Sequence, residues 1–180
     1  MAADGLYYEK GIQAVGMDEV RAASGVSLKR LYQLFPSKDD LVQAVLRRRD
    51  QDVRAGLARY TSAPTDPDDR ILAVFDYLED WFHQPEFRGC AFINSFAELG
   101  PTSAGVAGVV RTAKQALADH LGDLVAAAGR SPGLADQLLV LANGAMVTAA
   151  ITGSPAPATH AKEAARLLVT SVGPDRSSAD

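Results

Sequence analysis

The chain has 180 residues, 47% of them hydrophobic and 22% charged, with a net charge of −4. This composition fits a globular protein with a substantial core and excludes a chain that is basic throughout. A single cysteine, Cys90, excludes an internal disulfide framework and fits a reducing cytoplasm; no apolar run approaches the roughly 20 residues of a membrane span, and no targeting signal opens the chain, so a cytoplasmic protein with no membrane partner is expected.

Residues 2–10 predict the end of an amphipathic helix, with Leu6 and Tyr7 apolar and Gly11 as its stop. Met17 to Ser24 predicts a second helix with Val20 and Ala23 facing inward, preceded by Gly16, which brings no side-chain oxygen to the cap position. Gly25-Val26-Ser27 turns the chain, since glycine tolerates the turn without a Cβ clash, and Ser27 caps a third helix that Pro36 ends. That helix sets Leu31, Leu34 and Phe35 as an apolar stripe, while Ser27, Lys29, Arg30, Tyr32 and Gln33 point elsewhere. These are residue types that meet phosphates and base edges in a major groove. Residues 26–49 hold six basic side chains against two acidic ones, a basic patch on an acidic chain. Such a patch is either the footprint of a site-directed DNA binder or a solvated helix face.

Ser37-Lys38-Asp39-Asp40 opens a longer helix, with Ser37 as N-cap and acids in its first turn. Leu41, Val42, Val45, Leu46, Val53, Leu57 and Tyr60 repeat along it at helical spacing. Unbroken to Tyr60 it spans roughly 35 Å at 1.5 Å per residue, enough to link a head to a body. Asp66-Pro67 starts the next helix by cap and proline, with Ile71, Leu72, Val74, Phe75, Leu78, Trp81 and Phe82 on its apolar face. Helices over Phe87 to Leu99, Ser103 to Ala128, Ser131 to about Thr152 and Ala158 to about Val172 follow, separated by Gly and Pro breaks. Strand signals are nearly absent, so the expected fold is all-α: a three-helix helix-turn-helix domain over 1–46, a helical domain over 47–173, and a disordered polar tail at 174–180.

The run from Gly11-Ile12 through Leu41-Val42, with Gly25-Val26-Ser27 and Leu31-Tyr32-Gln33-Leu34-Phe35-Pro36-Ser37-Lys38-Asp39-Asp40, resembles the DNA-binding domain of the TetR family of bacterial repressors. The resemblance covers about the first quarter of the chain; the remainder matches in architecture, as a helical ligand-binding and dimerising body. It implies that Ser27, Leu28, Lys29, Arg30, Tyr32 and Gln33 lie on a recognition helix, with Tyr32 and Lys38 at positions that hold backbone phosphate. Leu31 and Phe35 match core positions. Lys29 and Arg30 depart from the small residues common there and are expected to set the operator. Gly16 replaces a usual hydroxyl cap, and the first helix begins late against the family pattern, so a chain extended upstream is expected to bind its operator more tightly.

The implied body has two tasks. Small residues in the last two long helices (Ala142, Gly144, Ala145, Ala149, Ala150, then Ala161, Ala164, Ala165) suit either a two-fold homodimer seam or close packing within one chain. Phe75, Leu78, Phe82, Cys90, Phe92, Asn94, Phe96 and Val110 form either a pocket for a small-molecule effector or plain core. Cys90 is a small buried hydrophobe or, with Arg88 near it, a reactive thiol.

Catalysis is the rival class. His83, His120 and His160 lack metal-ligand spacing, Glu79, Asp80 and Glu98 form no evident acid–base pair, and no phosphate loop is present, so no enzyme, metal or cofactor is expected. The expected function is a ligand-responsive regulator, a repressor released from a palindromic double-stranded operator. A helical adaptor that uses its head for protein contacts is the alternative, and it would show no salt-dependent duplex binding.

Overall fold

The computed structural model describes residues 2–171. Among them the chain forms α1 (Ala2–Lys10), α2 (Met17–Ser24), α3 (Leu28–Leu34), α4 (Lys38–Ser62), α5 (Pro67–Phe82), α6 (Ala91–Leu99), α7 (Ala104–Ala127), α8 (Gly133–Thr152) and α9 (Ala156–Ser171), with no strand among the described residues. The all-α expectation holds. The tail assigned to 174–180 lies outside the described residues.

Two compact units make up the chain. The first comprises Met1–Asp52 and Cys90–Lys114. Gly11 (φ 87) and Gly25 (φ 69) take the left-handed backbone that stops α1 and α2. Ser37 and Asp40 form a reciprocal cap at the start of α4: the Asp40 carboxylate accepts from the Ser37 backbone N–H (3.1 Å), and Ser37 Oγ accepts from the Asp40 N–H (3.1 Å). Val15, Val20, Leu31, Val42, Leu46 and Val106 are among its buried side chains. Arg49 joins α4 to α1, pairing with Asp4 (2.7 Å) while its guanidinium lies 4.2 Å from the centre of the Tyr8 ring.

Two facing expectations fail here. Ala23 is exposed, because an eight-residue helix held by Met17 and Val20 turns that position outward. Leu34 is 50% exposed, at the last turn of α3, so the stripe reduces to Leu31 with Phe35 half-buried behind it.

The domain division also differs from the expected break at residue 46. Cys90–Lys114, assigned from sequence to the body, folds with the head. Glu98 at the end of α6 bonds the α1–α2 connection, and Gly105 at the start of α7 lies against the Gln43 side chain of α4.

The second unit comprises Val53–Gly89 and Gln115–Asp180. Asp66 caps α5 through the backbone N–H groups of Asp68 (2.8 Å) and Asp69 (3.3 Å), as its sequence signal predicts. Helix α5 packs on α8 and α9, which pack on each other. Ala142, Ala145, Ala149, Ala158, Ala161 and Ala165 are all buried, so most of the small residues read as a possible dimer seam serve close packing inside one chain. Arg130 clamps Asp68 through Nε (3.2 Å) and Nη2 (2.5 Å).

Helix boundaries moved where the local signal competed with backbone geometry. Helix α6 begins at Ala91 rather than Phe87, because Gly89 is left-handed (φ 87) and Cys90 is extended (φ −77, ψ 115). Helix α8 begins at Gly133, with Pro132 in helical conformation (φ −53, ψ −35) and no Ser131 side-chain cap. Helix α9 starts two residues early, where Ser154 Oγ accepts from the Ala156 N–H (3.3 Å). One composition reading is also corrected. An 18-residue window of the 20-residue α8 reaches a mean hydropathy of 1.5, so the helix is long and apolar enough to match a membrane span by length and composition. The cause is a helix that is apolar on its buried alanine side and on its outer side, where Val140 and Ile151 stand 71% and 80% exposed.

Candidate nucleic-acid interface

The candidate interface comprises α3 and the first residue of α4. Ser27 Oγ accepts from the Arg30 N–H (3.3 Å), which starts α3 where the turn leaves Gly25. Leu31 is buried, anchoring one side of this short helix. The opposite side leaves Ser27, Lys29, Arg30, Tyr32 and Gln33 exposed, with Leu28 half-buried. Arg30 Nη1 donates to Gln33 Oε1 at 3.4 Å, one turn along, so the two candidate base readers are oriented together.

Lys38 is half-buried, and its ammonium donates to the Gln13 carbonyl at 3.5 Å. An ammonium carries three donors, so two remain for other acceptors such as phosphate oxygens. Gly16 caps α2 only through its backbone, accepting from the Val20 N–H (3.2 Å), as its missing side chain requires.

A residue that sequence reasoning considered only as an acid–base candidate proves to be part of this framework. The Glu98 carboxylate accepts from the consecutive amides of Ile12 (3.1 Å) and Gln13 (2.9 Å), and Gln13 Nε2 donates to the Glu98 carbonyl (2.8 Å). These partners lie 85 and 86 positions apart, so no local pattern could reveal them.

Glu79 and Asp80, the other two carboxylates weighed for acid–base work, accept from side-chain hydroxyls: Glu79 from Thr159 Oγ1 (3.0 Å), and Asp80 from the Tyr60 hydroxyl. His120 Nε2 meets Thr61 Oγ1 at 3.2 Å, and burial lowers its pKa from the usual 6.5, against a smaller upward pull from Asp123. Among the described residues no group of three or more His, Cys, Asp or Glu side chains is placed to hold a metal.

The candidate effector residues fall into two sets. Phe75, Leu78 and Phe82 are buried on α5 of the second unit. Cys90, Phe92 and Val110 are buried in the first, where Asn94 and Phe96 stand exposed on α6. Cys90 Sγ accepts from Lys114 Nζ at 3.5 Å, while Arg88, expected to assist the thiol, donates to the carbonyls of Pro85 (3.1 Å) and Phe87 (2.8 Å). Trp81, expected on the apolar face of its helix, is half-buried and stacks on Tyr77 at 6.5 Å within an aromatic row that continues to Phe87.

An all-α chain with an exposed polar recognition helix behind a glycine turn defines a helix-turn-helix DNA-binding protein. Residues 1–45 match the family described as bacterial regulatory proteins, tetR family. A putative TetR transcriptional regulator from Streptomyces avermitilis is 30% identical, with a TM-score of 0.74 over 91% of this chain and 93% of that one. A TetR-family transcriptional regulator from Streptomyces coelicolor is 29% identical, with a TM-score of 0.88 over 95% and 92%. The HTH-type transcriptional activator FasR of Mycolicibacterium smegmatis is 33% identical over 129 residues, which span 69% of this chain and 56% of FasR. The chain belongs to the TetR family of bacterial transcriptional regulators.

Proposed function

We propose that this chain is a ligand-responsive repressor that binds a near-palindromic duplex operator as a homodimer and is released by a small-molecule effector. The observation that carries the reading is α3, whose buried Leu31 seats the helix and whose Lys29, Arg30, Tyr32 and Gln33 are exposed on its other side. In this reading Lys29, Arg30 and Gln33 read base edges, whereas Ser27, Leu28, Tyr32 and Lys38 position the head on backbone. Two heads must meet major grooves about one helical turn, or a multiple, apart, so dimerisation is part of the function. The apolar outer side of α8 supports such a dimer: Val140, Gly144, Val147 and Ile151 share one helix face and leave large apolar groups exposed.

In this reading the effector is a small molecule that binds the DNA-incompetent arrangement more tightly; the candidate residues are Phe75, Leu78 and Phe82 in the second unit and Cys90, Phe92, Asn94, Phe96 and Val110 in the first. No catalytic step or cofactor belongs to this reading, and its place is the cytoplasm, with the operator. A second reading, activation, is favoured by the similarity to FasR, a transcriptional activator. Selection of duplexes from a random pool, followed by transcription from a reporter bearing the selected site, tests both. Repression requires a reporter silenced by the chain, and activation one that rises. Absence of any selected duplex with steep salt dependence sinks the DNA reading itself.

A further inference from the structure

The Gly11–Gln13 connection between α1 and α2 forms a small anion cradle. Gly11 is left-handed (φ 87), and a Cβ there would lie 3.4 Å from Glu98 Oε2. Successive amides that follow a left-handed residue converge on one point, which is the geometry that binds anions in backbone nests. Here the anion is the chain's own Glu98, with one oxygen on Ile12 and the other on Gln13. Gln13 is held a third time through its side chain, and its carbonyl is the acceptor of Lys38.

We propose that Glu98 is a positioning residue for DNA binding, which fixes Gln13 so that the Gln13 carbonyl steers the Lys38 ammonium toward phosphate. The proposal rests on the DNA-binding reading above and adds a residue outside the helix-turn-helix. Charge-assisted bonds from two amides to one carboxylate are stronger than neutral ones and fix direction as well as distance. Lys38 otherwise has a flexible four-carbon stem, and restricting it before binding lowers the entropy lost on meeting phosphate. Glu98 itself touches no DNA in this scheme; it acts through Gln13.

The test is a double-mutant cycle on the full chain with Glu98→Gln, Lys38→Ala and both together, using a duplex selected by the unmodified chain. Glu98→Gln keeps the side-chain size and one acceptor, so it preserves the fold better than Glu98→Ala; circular dichroism and thermal unfolding verify this. Glu98→Gln is expected to weaken duplex binding about tenfold and to reduce the salt slope by about one, as loss of one phosphate contact does. In the Lys38→Ala background the same change is expected to cost less than about twofold, because the group it positions is gone. Amide exchange at Ile12 and Gln13 should rise in Glu98→Gln without DNA present. Equal losses in both backgrounds, or an unchanged affinity with Lys38→Ala still weakened, overturn the positioning role alone. Failure of the unmodified chain to bind any duplex overturns the DNA reading and this role with it.

Discussion

The ring of Tyr77 lies directly over Gly56: a Cβ added at that glycine would meet Tyr77 Cε2 at 2.6 Å. Helix α4 and α5 therefore approach each other at a point where only a hydrogen side chain fits. The ring cannot swing aside freely, since Tyr60 lies 5.5 Å from it edge-on and Trp81 stacks at 6.5 Å.

Gly56→Ala is thus expected to destabilise the protein by about 1–2 kcal/mol, overpacking outweighing the gain of up to about 1 kcal/mol that alanine brings to a helix interior. Denaturant unfolding decides this. A stabilised variant would show that Tyr77 yields its place without loss.

Tyr7 is buried, and its hydroxyl has no hydrogen-bond partner. Tyr7→Phe removes that unsatisfied group and is expected to be neutral or to stabilise by up to about 1 kcal/mol. Burial also pushes the phenol up from 10.0 to about 12. A raised folded value means that the contribution is fully present below pH 10.0 and is lost as pH rises toward about 12. The stability difference between the two proteins should therefore shift in favour of Tyr7→Phe across that window. A pH-independent difference contradicts the burial of the hydroxyl.

For His120 the sign reverses. Its folded pKa lies below the usual 6.5, so its neutral form is favoured and its contribution is present above 6.5. Stability is lost as pH falls from there through the folded value. Thr61 Oγ1 donates to the Leu57 carbonyl (3.0 Å) and so accepts from His120, which places the proton of the neutral ring on Nε2. An imidazole titration by NMR should give a midpoint below 6.5, and His120→Gln should flatten the acid limb of the stability profile. A midpoint above 6.5 would mean that Asp123 outweighs burial.

The proposed dimer is open to a single-residue test. Ile151 is 80% exposed and lies on the same face of α8 as Val140 and Val147. Ile151→Lys should shift the chain toward monomer in sedimentation at micromolar concentration, with helix content unchanged. Persistence of the dimer at all concentrations would place the seam elsewhere.

Lys29 and Arg30 separate specificity from grip. Arg30→Ala and Lys29→Ala should each relax the preference at one base position by about tenfold, whereas Tyr32→Phe should weaken all sequences alike. Selection from a random pool with each variant distinguishes the two patterns.

Much of the architecture was legible because its signals are local. Ser27, Ser37 and Asp66 announce helix starts that the structure reproduces, and Gly11 and Gly25 announce stops. Helix α6 starts at Ala91 and not at Phe87, because the left-handed Gly89 and the extended Cys90 interrupt the helical backbone there. Burial was harder to read than helicity. Ala142 and Ala149 are as small as Ala150, yet only their placement against α5 and α9 buries them. The exposed face of α3 follows from the turn and the Leu31 anchor. The Glu98 cradle does not, because it depends on chain segments brought together only by the fold.

The first unit is assembled from two separate stretches, Met1–Asp52 and Cys90–Lys114. This discontinuity bears on how such a protein can be recombined. A chimaera that transplants residues 1–46 alone would carry the recognition helix but leave behind Glu98 and Gly105, and the Gly11–Gln13 amides would meet whatever residue the recipient supplies. A transferable specificity module must therefore include Cys90–Lys114 or a recipient with a carboxylate at the position of Glu98. Residue exchanges confined to Lys29, Arg30 and Gln33 avoid the difficulty, because they alter the reading surface without disturbing its support.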